Sequence, residues 1–363
     1  MLHKVFNFCA GPAAMPQEVM YKAQQEFRNY HGTQVSLLEM SHRSNLFDEV
    51  IKKAEANVRF LMDIPDEYGV FFIQGGASFQ FAMLAMNLLP PIGKADYIDT
   101  GRWSQKAIEQ AELIGNVNII ASGKDVAYTA IPQVDELIID PGAAYLHFTS
   151  NNTVYGTQFH EFPDYGNNVP LVCDMSSDIM SREVDVEKFA MIYAGLQKNL
   201  GPSGMSLVIM RPDMIEKSYR VLPDLLKYST YDHHHNLYNT PNSFAVYMLS
   251  LVTDWIREQG GVGIVERIND VKSEILYEEI DRSEGFYNGF AFAPDRSRMN
   301  VCFNLPTEEL NQKFVAEAAE KGMVGLAGHR SVGGIRASIY NAMPLKGVSR
   351  LIDFMADFKK KNS

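Results

Sequence analysis

Phe189-Ala190-Met191-Ile192-Tyr193-Ala194-Gly195-Leu196-Gln197-Lys198-Asn199-Leu200-Gly201-Pro202-Ser203-Gly204 is an apolar run that ends in a lone lysine and a glycine–proline turn. A second apolar run, Met205 to Met210, follows at once. The pattern predicts strand, tight turn, strand. It hangs Lys198 from the end of a buried strand. An amine beside apolar walls loses hydration, which brings its neutral, nucleophilic form within reach. Such a lysine suits Schiff-base formation with an aldehyde. A solvated turn lysine is the competing reading, since most lysines face water.

Upstream, strand and helix signals alternate. Val70-Phe71-Phe72-Ile73 reads as a buried strand, Gln74 to Ser78 as a turn, and Phe79 to Leu89 as a helix. Strands are predicted at Ala95–Ile98, Val117–Ile120, Ala144–Phe148 and Val169–Cys173, with a helix over Ser104–Leu113. This alternation predicts an α/β fold, a mainly parallel sheet covered by helices on both faces. Ligands in such sheets sit beyond the carboxyl ends of the strands. Gly75, Gly76, Asp174 and Lys198 all follow strands and could share one crevice. Helices are also expected over Gln17–Tyr30, Leu46–Met62 and Asn242–Gln259. Residues 1–15 read as an arm, 16–260 as a large domain and 261–363 as a small α+β domain, with Gly260-Gly261 at the boundary. In the small domain, strands are expected at Phe290–Phe292, Met299–Leu305, Val324–Ala327 and Gly334–Tyr340.

At 363 residues the chain is too long for one core to be expected. A net charge of -11 argues against nucleic acid, whose phosphates would repel it. The three cysteines lack CxxC spacing and fit reduced thiols in the cytoplasm. No signal-peptide apolar region and no membrane span are expected. His233-His234-His235 lacks the spacing of a zinc site, so no metal is expected.

Several residues suggest a bound cofactor and anionic substrates. Gly75-Gly76-Ala77-Ser78, between strand and helix, would let backbone N–H groups approach a phosphate, or it is an ordinary βα turn. Asp174 could hold a proton on a heterocyclic nitrogen, or cap a turn. Trp103 could stack on a planar ring, or simply pack. His42-Arg43-Ser44 recurs as His329-Arg330-Ser331, with Arg336 close behind. In an acidic chain these suggest carboxylate or phosphate recognition by guanidinium forks, with surface ion pairing as the alternative.

At these residues the chain resembles the phosphoserine aminotransferases, class-V pyridoxal-phosphate enzymes of fold type I. The likeness is sharpest at Phe6 to Pro16, Met40 to Ser44, Ile192 to Pro202 and Tyr238-Asn239-Thr240-Pro241. At positions 77 and 78 Ala and Ser replace the family's Gly and Arg, leaving phosphate contact there to backbone N–H groups. The resemblance implies that Lys198 is the Schiff-base lysine, Asp174 the partner of the pyridinium nitrogen and Trp103 the stacking ring. It assigns Ala77, Ser78 and Gln197 to the cofactor phosphate and Thr153 to the ring's hydroxyl side. Asn239 and Thr240 would reach the phosphate from the neighbouring subunit of a homodimer. Arg336 would take the substrate α-carboxylate, and Arg43, His42, His329 and Arg330 the distal anion.

The expected reaction moves the amino group of L-glutamate to 3-phosphohydroxypyruvate, giving O-phospho-L-serine and 2-oxoglutarate in serine synthesis. A phosphorylated four-carbon 2-oxo acid of pyridoxine synthesis is a further expected substrate. Two alternatives share the fold, an alanine–glyoxylate type of transaminase and a cysteine desulfurase. The desulfurase needs a mobile cysteine, whereas Cys9, Cys173 and Cys302 fall on the arm or in predicted strands. A third alternative, a cofactor-binding sensor without turnover, is disfavoured by the full set of anion-binding residues.

Overall fold

The computed structural model describes residues 5–133, 137–163 and 169–363, so the first four residues of the expected arm lie outside it. In chain order the strands are β1 (Phe6–Asn7), β2 (Gly69–Gln74), β3 (Lys94–Asp99), β4 (Asn116–Ser122), β5 (Leu146–Thr149), β6 (Asn151–Asn152) and β7 (Thr157–Gln158). They continue as β8 (Leu171–Asp174), β9 (Met191–Gly195), β10 (Met205–Met210), β11 (Asn288–Gly289), β12 (Asn300–Asn304), β13 (Met323–Val324) and β14 (Ile335–Ser338). The helices are α1 (Gln17–Glu26), α2 (Asn45–Met62), α3 (Gly76–Leu88), α4 (Arg102–Glu112) and α5 (Pro212–Ile215). After them come α6 (Tyr228–His233), α7 (Ser243–Glu258), α8 (Val262–Asp281), α9 (Glu308–Glu320) and α10 (Leu345–Asn362).

Seven strands form the central sheet in the order β2-β10-β9-β8-β5-β3-β4. All neighbours run parallel except β10, which is antiparallel to both β9 and β2. The link from β9 to β10 is too short for a crossover helix, so the chain must double back. That link carries Lys198.

Side chains alternate across the sheet. Val70 and Phe72 join a core with α2 and α7, while Phe71 and Ile73 join one with α3 and α4. On α2, Phe47, Val50, Ile51, Ala54, Val58 and Leu61 recur at helical spacing and are all buried. The Ser44 side chain caps α2 by accepting from the Phe47 N–H. A third core gathers α9, α10, β12 and β14 with Phe6 and Phe8. Helix α8 spans two cores: Val262 and Val265 lie in the sheet's core, and Leu276 and Ile280 in the third.

Four details differ from the sequence reading. Helix α1 stops at Glu26 rather than Tyr30. The Phe27 carbonyl instead accepts from the Leu37 N–H and the Ser36 hydroxyl, which folds the following loop back. The expected strand over Val324–Ala327 shrinks to β13, which pairs in parallel with Phe6–Asn7 and so fastens the N-terminal segment to the C-terminal core. The strand expected at Phe290–Phe292 lies earlier, because the Phe292 N–H turns away to the Thr129 carbonyl. Helix α3 begins at Gly76 rather than Phe79. Gly75 and Gly76 make the turn with φ of 103° and 67°, which places Ala77 and Ser78 in the first helical turn.

Candidate active site

Lys198 sits in the turn beyond β9, with its side chain almost wholly enclosed. The turn is fastened on several sides. The Leu196 N–H donates to the Met205 carbonyl, the Ala13 N–H to the Gln197 carbonyl, and the Asn341 N–H to Asn199 Oδ1. Lys198 Nζ donates to Thr153 Oγ1 at 2.6 Å and lies 5.8 Å from the centre of the Trp103 ring. Burial pushes the lysine ammonium down to about 8. Asp174 and Asp178 oppose that shift, and Arg336 adds to it. The neutral amine is therefore accessible near physiological pH.

Asp174 ends β8 and is buried. Burial raises its carboxyl, while the Ser176 hydroxyl at 2.5 Å and the Ser176 N–H at 2.9 Å hold it down, with help from the charge on Lys198. Ser176 Oγ in turn accepts from the Gly195 N–H at 3.0 Å, which ties the carboxylate to the strand that leads to Lys198.

Trp103 opens α4 after Gly101. Gly101 has φ +136°, and a Cβ there would overlap Asn152 Nδ2 and approach the Tyr155 ring to 2.7 Å. Asp99 accepts from the Gly101 N–H and from the Ser104, Ser122 and Tyr128 hydroxyls, which fixes the start of the helix. Trp103 Nε1 is buried and has no partner among the described residues.

Arg336, on β14, donates to the Thr153 carbonyl at 3.2 Å, so Lys198 and Arg336 meet on one residue. Beyond Arg336, burial lowers the His329 imidazole, and the charges of Arg336, Arg330, Arg102 and Lys106 lower it further. These five residues make a basic rim.

The glycine turn adjoins the lysine turn through the Gly75 N–H, which donates to the Gly204 carbonyl at 3.0 Å. The first turn of α3, with Ala77 and Ser78, carries N–H groups that have no intrahelical partner. Two groups of expected site residues stand apart. His42 and Arg43 lie in the turn before α2, where Arg43 is exposed and no described bond joins it to Lys198. Asn239 is half-buried and Thr240 is exposed, and the Thr240 carbonyl accepts from Gln74 Nε2 of the same chain.

Residues 5–351 match the family model described as Aminotransferase class-V. The chain belongs to the class-V aminotransferase family. It is 50% identical over 362 residues to a phosphoserine aminotransferase of Lysinibacillus sphaericus, with all of both chains covered. A solved phosphoserine aminotransferase from Bacillus circulans subsp. alkalophilus superposes with a TM-score of 0.97 at 48% identity, covering 99% of each chain. The PLP-bound phosphoserine aminotransferase of Trichomonas vaginalis superposes with a TM-score of 0.93 at 35% identity, covering 97% of this chain and all of the other. Sequence and fold place the chain with the phosphoserine aminotransferases of that family, of which the Trichomonas vaginalis protein holds pyridoxal phosphate.

The residues present fit that cofactor. A buried amine, a buried carboxylate, an indole with an orphaned N–H and a helix N-terminus behind two glycines match an aldehyde, a ring nitrogen, a ring face and a phosphate. Ser176, Arg102 and Lys106 were not singled out by sequence reasoning. Asp174-Met175-Ser176 has the spacing of a side-chain turn, a signal that could have found Ser176. Arg102 and Lys106 are one helical turn apart, which could have marked them as neighbours on one face.

Proposed function

We propose that the chain moves the amino group of L-glutamate to 3-phosphohydroxypyruvate, with Lys198 as the reacting amine. The observation that carries this reading is the meeting of Lys198 and Arg336 on Thr153, with the His329–Arg330 rim beyond. An amino acid held there by its α-carboxylate would direct a distal anion toward the rim.

Bound pyridoxal phosphate supplies an aldehyde carbon and an electron-accepting ring. Asp174 holds a proton at the ring nitrogen. Trp103 would pack against the ring, Thr153 would serve its hydroxyl side, and Gln197 with the N–H groups at Ala77 and Ser78 would receive the phosphate. Lys198 Nζ takes and returns the proton at the substrate Cα, a task suited to an amine that burial has brought near neutrality. Arg336 orients the α-carboxylate through its guanidinium fork. His329 and Arg330 receive the glutamate side chain in one half-reaction and the substrate phosphate in the other.

We further propose a homodimer in which the partner supplies Arg43, His42, Asn239 and Thr240 to this site. The exposure of Arg43 and Thr240 supports that reading. The proposed units are the arm 1–15, a large cofactor domain 16–260 and a small domain 261–363.

The test is a substrate panel on the purified, cofactor-loaded protein. Phosphoserine with 2-oxoglutarate is expected to react, alanine is not, and Arg330→Gln is expected to weaken glutamate and phosphoserine together. Use of alanine alone would refute the distal-anion argument.

A further inference from the structure

Lys272 lies on α8 with no exposed surface, and no carboxylate pairs with it among the described residues. Its ammonium donates to three backbone carbonyls, those of Ile339 at 2.9 Å, Tyr340 at 2.8 Å and Met343 at 3.1 Å. Three N–H bonds meet three acceptors, so the charge is solvated by main chain alone. A buried cation is costly, and an apolar residue could have filled a position with no exposed surface. The segment it holds connects β14, which carries Arg336, to α10.

The same segment touches the Lys198 turn from two directions. The Asn341 N–H donates to Asn199 Oδ1 at 3.1 Å, beside Lys198 in the chain. Tyr340 Oη donates to the Ala10 carbonyl at 2.8 Å, and the next residue, Gly11, backs onto the Gln197 and Lys198 side chains. One turn before Lys272 on α8, Asn269 donates to Asn341 Oδ1 at 2.9 Å and to the Ser181 carbonyl at 3.0 Å. Asn341 Nδ2 donates to the Met180 carbonyl. Asn269 and Lys272 share a helix face and grip residues 339–343 together.

We infer that Lys272 is a positioning residue for the transamination site, acting through residues 339–343 to set Lys198 against Arg336. The inference rests on Lys198 as the reacting amine. Lys272→Met keeps the length of the side chain and removes that donor from all three carbonyls, of which Tyr340 keeps the Met343 N–H. Lys272→Gln keeps two N–H donors and is expected to fall between wild type and Met.

The experiment uses full-length protein saturated with pyridoxal phosphate. It records the near-visible cofactor absorbance, the circular dichroism of that band, kcat and KM for glutamate, and Tm. For Lys272→Met, retained absorbance is expected with altered dichroism and kcat reduced about tenfold to a hundredfold, the loss that follows a displacement of about 1 Å at a reacting group. A lower Tm with wild-type dichroism, kcat and KM would overturn the inference, because it would leave Lys272 only a structural role. If the Met variant does not fold, the Gln variant gives the same decision from the same readings. A wild-type protein without the cofactor band or without transamination would overturn the Lys198 reading itself, and this inference with it.

Discussion

Replacing Lys198 with methionine is expected to make the cofactor-free protein more stable near neutral pH. The amine falls from 10.5 to about 8 in the folded chain, with burial as the first cause. A difference of about 2.5 units, at about 1.4 kcal/mol each, makes the charged lysine cost about 3 kcal/mol of folding free energy at pH 7. The folded value lies below the unfolded one, so the native state binds fewer protons than the unfolded chain as pH rises through that window. The penalty is therefore full below about pH 8 and fades toward about pH 10.5. Only about 1.5 kcal/mol of it remains at pH 9.5. Methionine also removes the partner of the Thr153 hydroxyl, which costs about 1 kcal/mol. The net expectation is a gain of about 2 kcal/mol at pH 7 that is largely lost by pH 9.5. Denaturant unfolding of both proteins without cofactor, at one fixed protein concentration, measures it. A variant no more stable than wild type at pH 7, or a difference that does not change with pH, would refute the assignment of a buried, desolvated amine.

Two further outcomes follow from the site. Ser176→Ala removes a charge-assisted hydrogen bond to Asp174, about 1.5–3 kcal/mol, so the carboxyl rises and the acid limb of kcat against pH moves upward with it; an unmoved limb would separate Ser176 from the chemistry. Gly101→Ala forces a side chain onto φ +136° and against Asn152 and Tyr155, with an expected loss of about 2 kcal/mol in unfolding free energy and a displaced Trp103. Tm and the cofactor-band dichroism report the two effects.

Local pattern made much of the fold legible. The apolar runs at Val70–Ile73 and Met205–Met210 and the helical spacing on α2 are local signals, and the elements formed there. The reversal of β10 was implied by the short link from Met191–Gly195 but is explicit only once pairing is known. The boundaries of α1 and β13 depended on distant partners, Leu37 for Phe27 and Phe6–Asn7 for Met323–Val324, which no local window contains. The same holds at the site. Lys198 and Asp174 were visible as polar residues that end apolar runs. Ser176 and Lys272 bond to main chain and Asn341 bonds through its own main-chain N–H, so their residue types carry no mark of that use.

Thr153 gives the reaction its ruler. Its carbonyl anchors the guanidinium and its hydroxyl meets the amine, so on the proposed reading the near end of every amino acid would be gauged from one point. Molecules that differ only past Cβ look identical from there. Choice among them would then fall to the outer cations, and a shift in diet would call for substitutions at the rim while the gauge stays as it is.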